Sequence, residues 1–127
     1  MRKILFASLV MLLSPAGPGS ASERVACNMK ALTKTERATY EKLAQTLLGA
    51  VQEQKELRNG YAFRLPPESL MSAAQWVSFE RRCCPFFTFE LKLARDEGPL
   101  WLRVTGSQGV KAFIRAEFGL DPDSFQK

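Results

Sequence analysis

Two stretches of strict alternation between apolar and polar residues constrain the fold of this chain more than any other feature. They read FFTFELKLA (residues 86–94) and LWLRVTG (residues 100–106), and the turn sequence RDEGP lies between them. Such alternation places every second side chain on one face of a β-strand. The apolar face consists of Phe87, Phe89, Leu91, Leu93, Leu100, Leu102 and Val104. The pattern predicts an antiparallel hairpin that buries one of its two faces.

A second hairpin is predicted around Asn59-Gly60, a dipeptide that is typical of tight turns between antiparallel strands. The strand after this turn alternates, because the apolar residues Tyr61, Phe63 and Leu65 are separated by Ala62 and Arg64. The strand before it, at about residues 52–57, is polar. Together the two hairpins predict four antiparallel strands.

The remaining apolar residues predict three helices. Residues 33–51 open with the Thr-x-x-Glu spacing of a capping box. Residues 66–84 begin at a proline pair and end before Pro85, since proline suits a first helical turn and disfavours helix in the residue before it. The third helix is predicted to follow residue 106 or 107. Apolar positions at helical spacing are Tyr40, Leu43, Leu47 and Val51 in the first helix, and Val110, Phe113 and Ile114 in the third.

The predicted element order is α-β-β-α-β-β-α. We therefore expect an α+β fold, a two-layer sandwich in which about three helices pack on one side of a four-stranded antiparallel sheet. A chain of 127 residues suits one domain, which we place at residues 22–120. Residues 121–127 are expected to be a frayed tail.

Residues 1–21 are predicted to be a cleavable export signal. Arg2 and Lys3 precede the apolar run ILFASLVMLL, and small residues suited to signal peptidase follow it. Ten apolar residues are too few to span a bilayer, which takes roughly 20. Lipidation of Cys27 is disfavoured, because Arg24 stands where a lipid-anchor site needs an apolar residue. We expect an exported protein, periplasmic or secreted, without a transmembrane span and cut after Ala21 or Ser22.

Charge and missing residue types narrow the functions that the sequence supports. The net charge of +5 falls to +3 without Arg2 and Lys3, and its signs are interspersed, which argues against nucleic-acid binding. The chain has no histidine, so the most common general base near neutral pH is missing, as are nearly all mixed Cys/His zinc sites. No carboxylate pair is placed for acid–base chemistry, and TGSQG (residues 105–109) lacks the Lys-Ser/Thr of a phosphate loop. The sequence favours a protein that is not an enzyme.

From Ala26 onward the sequence resembles an uncharacterised group of small bacterial proteins that share an ERRCCPF-type double-cysteine motif. The matching pieces are Ala26-Cys27, Ala31-Leu32, GYAFRLP (residues 60–66), Trp76, ERRCCPF (residues 80–86) and LWLRVTGSQGVKAF (residues 100–113). The resemblance implies a shared fold and carries no activity. The export signal departs from what a cytosolic relative would have, and it puts reduced thiols in doubt.

The double cysteine is the one place where the sequence indicates chemistry. Cys83 and Cys84 are predicted at the last turn of the second helix, where both sulfurs can reach one point that Cys27 could cover. Two or three thiolates suit a soft metal ion such as Cu(I), Hg(II) or Zn(II). The neighbouring Arg81 and Arg82 would stabilise thiolates and are ready partners for Glu80.

Two alternatives stay open for the three thiols. An exported protein meets oxidising conditions, so Cys27 could form a disulfide with Cys83 or Cys84 and fasten the N-terminal segment to the domain. The third thiol would then be free or exchange with that bond, in a domain that binds a partner protein without metal or catalysis. In the other alternative, all three cysteines are small buried hydrophobic residues.

Overall fold

A computed structural model describes residues 25–120, so the predicted export signal and the predicted C-terminal tail lie outside the described residues. The main elements are α1 (Lys34–Ala50), β1 (Glu53–Leu57), β2 (Gly60–Leu65), α2 (Leu70–Cys83), β3 (Thr88–Leu93), β4 (Leu100–Thr105) and α3 (Val110–Glu117). The predicted α+β fold and its α-β-β-α-β-β-α order are confirmed. Within residues 25–120, no helix combines the length and apolar character that crossing a membrane requires.

The four strands form one antiparallel sheet in the order β1-β2-β4-β3. Both predicted hairpins are present, as β1–β2 and β3–β4, and the long pairing between β2 and β4 joins them. In this register Phe63 of β2 lies opposite Leu102 of β4, and Leu102 in turn lies opposite Leu91 of β3. The apolar positions of three strands therefore share one face.

One sheet face and the three helices enclose the main core. The sheet contributes Tyr61, Phe63, Leu65, Leu100, Leu102 and Val104, and the helices contribute Leu47, Ala73, Trp76, Val110 and Ile114. The β3 positions are less buried, and the Leu93 side chain is 51% exposed, because β3 is an edge strand. The alternating pattern thus predicts the buried face correctly and overstates how deeply β3 is covered.

The other sheet face carries charged side chains. Arg64 pairs with Glu53 across β1 and β2 at 3.3 Å, and Arg103 pairs with Glu90 across β3 and β4 at 3.4 Å. The Lys55 ammonium lies 4.7 Å from the centre of the Trp101 ring, within cation–π range. Because this face carries these charged side chains, it lies outside the apolar core.

The first hairpin turns one residue earlier than its sequence suggests. Leu57 pairs with Gly60, so Arg58 and Asn59 form the two-residue turn and Gly60 already belongs to β2. Glycine is needed at position 60 because the neighbouring strand comes very close. A Cβ atom there would lie 2.8 Å from the Thr105 Cα and still nearer to the Val104 carbonyl oxygen.

Replacing Gly60 by alanine should therefore destabilise the protein, because the clash involves the β4 backbone, which cannot rotate away. We expect Gly60→Ala to lower the free energy of unfolding by about 1–3 kcal/mol. Gly49→Ala is the matched control, because Gly49 is helical and a Cβ atom there meets nothing within 4 Å. That change should raise stability by about 0.5–1 kcal/mol. Urea denaturation measures both effects, and equal stability of the two variants would contradict the packing argument.

Candidate functional site

The end of α2 places the sulfur atoms of the two adjacent cysteines close together. Cys83 is the final helical residue, and Cys84 leaves the helix with φ −127° and ψ 67° ahead of Pro85. The Cys84 amide still donates to the Glu80 carbonyl oxygen at 2.6 Å, which closes the final turn. The two Sγ atoms lie 3.5 Å apart, because the change of backbone conformation stops the side chains from diverging as they do within a helix.

Cys27 and Cys84, which are 57 positions apart in the sequence, form a disulfide with their Cα atoms 4.5 Å apart. Cys83 stays a free thiol. Of the two pairings that the sequence allows for Cys27, the structure therefore contains the one with Cys84. The alternative of three unlinked, inert cysteines does not describe this arrangement.

Further contacts hold the N-terminal segment, residues 25–32, beside the end of α2. The Asn28 amide donates to the Cys83 carbonyl oxygen at 2.7 Å. The Arg82 guanidinium donates to the Ala31 carbonyl oxygen at 2.8 Å. Leu32 is buried in the same small cluster as Cys83 and Cys84. The disulfide is thus one of several links between this segment and the helix.

The thiols lie in a small apolar cluster beside the main core. Its buried members are Leu32, Phe79, Cys83 and Cys84, and Phe86 and Phe87 pack against it. Cys83 and Cys84 are almost fully buried, whereas Cys27 is only half-buried. A reagent in solution therefore meets the Cys27 end of the disulfide before the Cys84 end.

Glu80 is buried in contact with this cluster. The residue is 2% exposed, and its Oε1 atom accepts a hydrogen bond from the Tyr40 hydroxyl at 2.5 Å. Its Oε2 atom is buried and has no hydrogen-bond partner among residues 25–120. Burial raises the pKa of the Glu80 carboxyl to about 7, against the smaller lowering effect of Tyr40. Burial and the hydrogen bond to Glu80 likewise raise the pKa of the Tyr40 hydroxyl.

The Arg82 side chain turns to Glu36 of α1. Its guanidinium donates to the two Glu36 carboxylate oxygens at 2.8 and 3.1 Å. This pairing, with the Thr33 amide, lowers the pKa of Glu36 to about 2. The expectation that Arg82 is a partner for Glu80 is therefore wrong, because Glu80 points inward and Arg82 lies on the surface. Arg81 is exposed.

The free thiol is protonated near neutral pH. Burial and, to a smaller extent, the charge of the nearby Glu80 carboxyl together raise the pKa of the Cys83 thiol to about 11. Arg82 opposes the rise with a smaller effect. The arginines next to the double cysteine therefore do not hold Cys83 as a thiolate, because desolvation of the sulfur outweighs their charge.

Three potential metal ligands meet around the disulfide. The Sγ atoms of Cys27 and Cys84 and a carboxylate oxygen of Glu80 all lie within 4.8 Å of one another. This group differs from the three-thiol set that the sequence indicates, because Glu80 takes the place of Cys83. The sequence could have revealed that Glu80 faces inward. Trp76, Glu80 and Cys83 follow one another at intervals of four and three residues, which places them on one face of α2. Nothing in the sequence indicates that Tyr40 and Glu36 belong to the site.

The loop TGSQG, which precedes α3, offers less for binding. A concave surface there includes Arg58, Lys111 and Arg115. The Glu56 carboxylate already contacts Lys111 at 2.5 Å and Arg115 at 3.6 Å, and Lys111 lowers the pKa of Glu56. Glu56 thus already pairs with two of the three cations that a phosphate would need there.

Comparison of the chain with protein-family models, curated proteins and solved structures finds no match. The resemblance to small double-cysteine bacterial proteins therefore stays a prediction, and the function has to be argued from the site itself.

The raised pKa of Glu80 predicts a pH dependence of stability. The folded state binds the Glu80 proton more tightly than the unfolded state, whose carboxyl has a pKa near 4.5. Stability should therefore fall by about 3 kcal/mol as pH rises from 4.5 through 7, and this fall should stop above pH 7. Glu80→Gln should remove it. Denaturation of both proteins across this range measures the effect, and parallel pH profiles would contradict it.

The disulfide should account for much of the stability of so small a domain. Closing a loop of this length contributes roughly 4 kcal/mol in the chain-entropy model. Cys27→Ala should remove this contribution from the oxidised protein. Cys83→Ala is the matched control, since it keeps the disulfide and should stay sensitive to reductant. Equal denaturation midpoints for the native protein with and without reductant would contradict the prediction.

Proposed function

We propose that this is an exported thiol-exchanging domain, in which the free Cys83 thiol exchanges with the Cys27–Cys84 disulfide. The observation that carries the proposal is the 3.5 Å separation between the Cys83 and Cys84 Sγ atoms. The free Cys83 sulfur is thus placed beside a disulfide sulfur at the end of α2, where it can attack once it loses its proton.

The exchange needs no external oxidant or reductant. Cys83 loses its proton, and its thiolate attacks the Cys84 sulfur. A bond forms between Cys83 and Cys84, the bond between Cys84 and Cys27 breaks, and Cys27 leaves as a thiolate that takes up a proton. The product is a bond between adjacent cysteines, which closes a small strained ring and is easily reduced.

The exchange would move the free thiol from the interior to the surface. Cys83 is fully buried, whereas Cys27 is half-buried and belongs to the N-terminal segment. The segment would also lose its covalent link to α2 and keep only contacts such as the hydrogen bond from Asn28. A disulfide in a partner protein or a small molecule is the natural reactant for the Cys27 thiol in that form, because the Cys27 thiolate bonds to one of its sulfurs and the other leaves as a thiolate.

Export agrees with this chemistry. Disulfides persist in oxidising compartments such as the periplasm and the extracellular space. The predicted signal at residues 1–21 would deliver the chain there, and the Cys27–Cys84 bond suits that environment. An odd cysteine in an exported protein suggests a free reactive thiol or pairing with another molecule, and both agree with exchange.

Binding of a thiophilic metal by the reduced protein is a second candidate function. It is favoured by one observation, the approach of the Cys27, Glu80 and Cys84 ligand atoms to within 4.8 Å of one another. Cysteine thiolates and Glu carboxylates are each among the groups that bind zinc in proteins. This candidate needs a reduced disulfide, whereas the exchange uses the oxidised one.

Trapping of the free thiol in the folded protein tests the exchange. The oxidised protein is treated with a maleimide under native conditions, and the labelled cysteine is identified by peptide mass spectrometry. We expect label on Cys27 with Cys83 bonded to Cys84. The labelling rate should rise about tenfold per pH unit above neutrality, because the Cys83 thiolate fraction rises by that factor below its pKa.

Cys83→Ser and Cys83→Ala are the matched variants. Both keep the Cys27–Cys84 disulfide and remove the attacking sulfur, and they differ in whether a hydroxyl is buried. Labelling of Cys27 should disappear in both variants. Label on Cys83 alone in the native protein, or equal labelling of Cys27 in all three proteins, would overturn the proposed exchange.

A further inference from the structure

We infer that the reduced protein binds a borderline-soft divalent metal ion of the Zn²⁺ class through Cys27, Cys84 and Glu80, with Glu80 in the place that a third thiol would take. The inference rests on the second candidate function and specifies its ligands and its metal. It is independent of exchange by Cys83.

The positions of the three ligand atoms fit such an ion. Zinc binds thiolate sulfur at about 2.3 Å and carboxylate oxygen at about 2.0–2.2 Å in tetrahedral sites. The ligand atoms around one zinc ion are then roughly 3–4 Å apart. The Cys27 and Cys84 sulfurs are bonded in the disulfide, and a Glu80 carboxylate oxygen lies within 4.8 Å of both. Reduction frees the two sulfurs to move apart around an ion that Glu80 also contacts.

The Glu80 carboxylate supplies an independent indication of a ligand. Its Oε2 atom is buried without a partner among the described residues, although buried polar atoms are nearly always paired. Its Oε1 atom is held by the Tyr40 hydroxyl at 2.5 Å. A hydrogen bond to one oxygen of a ligating carboxylate orients the other oxygen, as outer-shell partners commonly do in metal sites.

Cys83 lies outside this group. Its sulfur contacts the Glu80 backbone carbonyl oxygen at 3.8 Å and the Cys84 sulfur at 3.5 Å. The three ligand atoms that share one 4.8 Å neighbourhood do not include it. A set of two thiolates and a carboxylate favours Zn²⁺ or Cd²⁺ over Cu(I), which prefers sulfur alone.

The metal ion binds in two steps, reduction of the disulfide and then coordination. An external dithiol reduces the Cys27–Cys84 bond, gives up two electrons and two protons, and becomes a cyclic disulfide. The metal ion then displaces a proton from each cysteine thiol and accepts the Glu80 carboxylate. Two thiolates and one carboxylate around a divalent ion leave a net charge of −1. One coordination position stays open, because the chain provides three ligands.

Titration of the reduced protein with Cd²⁺ tests the inference, because thiolate-to-metal charge-transfer absorbance counts bound sulfurs directly. We expect one ion per chain with two thiolates. Glu80→Gln should weaken binding at least about tenfold, since it removes a charged ligand but keeps an acceptor for Tyr40. Glu68→Gln is the matched control for loss of one negative charge, because Glu68 is exposed and lies outside the group, and it should leave affinity unchanged.

The cysteine variants separate this ligand set from the three-thiol set. Cys83→Ser should bind as the native protein does, whereas Cys84→Ser should lose the charge-transfer signal. Thermal denaturation of each reduced variant without metal verifies that it is folded. Binding that Cys83→Ser abolishes and Glu80→Gln leaves intact would overturn the inference and keep metal binding as the function. Absence of binding by the folded native protein would overturn both.

Discussion

Burial of one face of the antiparallel sheet is the constraint on which the rest of the structure depends. Tyr61, Phe63, Leu102 and Val104 can leave water only if helices cover them, because a single sheet has no second layer of its own. Helix α2 lies across this face, and the chain then turns sharply at Pro85 to enter β3. The double cysteine is at that turn, so the same packing that forms the core also fixes where the sulfurs meet.

The thiol cluster combines features that packing alone does not require. An apolar cluster that closes over a disulfide would be more stable with a hydrophobic residue at position 80, since a buried carboxyl loses its hydration. The protein instead buries Glu80, with one oxygen on Tyr40 and the other unpaired. Buried ionisable groups with strongly shifted pKa values are concentrated at functional sites, and Glu80 is a ligand of the proposed metal site.

Sequence patterns predicted the fold closely because they report on local geometry. The alternation in β3 and β4, the capping box of Thr33 and Glu36, and the stop at Pro85 each act over a few residues. The hairpin predicted around Asn59-Gly60 is also present, but only the structure places its two-residue turn at Arg58 and Asn59. The reason is that Gly60 is required by the approach of β4, and a contact with a distant strand leaves no mark in the local pattern.

The sequence by itself determined the element order, the buried sheet face and the position of Cys83 and Cys84 at a helix end. Only the tertiary structure decided which cysteine Cys27 joins, that Arg82 pairs with Glu36, and that Glu80 faces inward to Tyr40. The physical reason is distance along the chain. These contacts join residues about 40 to 57 positions apart, and their geometry depends on how α1 and the N-terminal segment pack against α2.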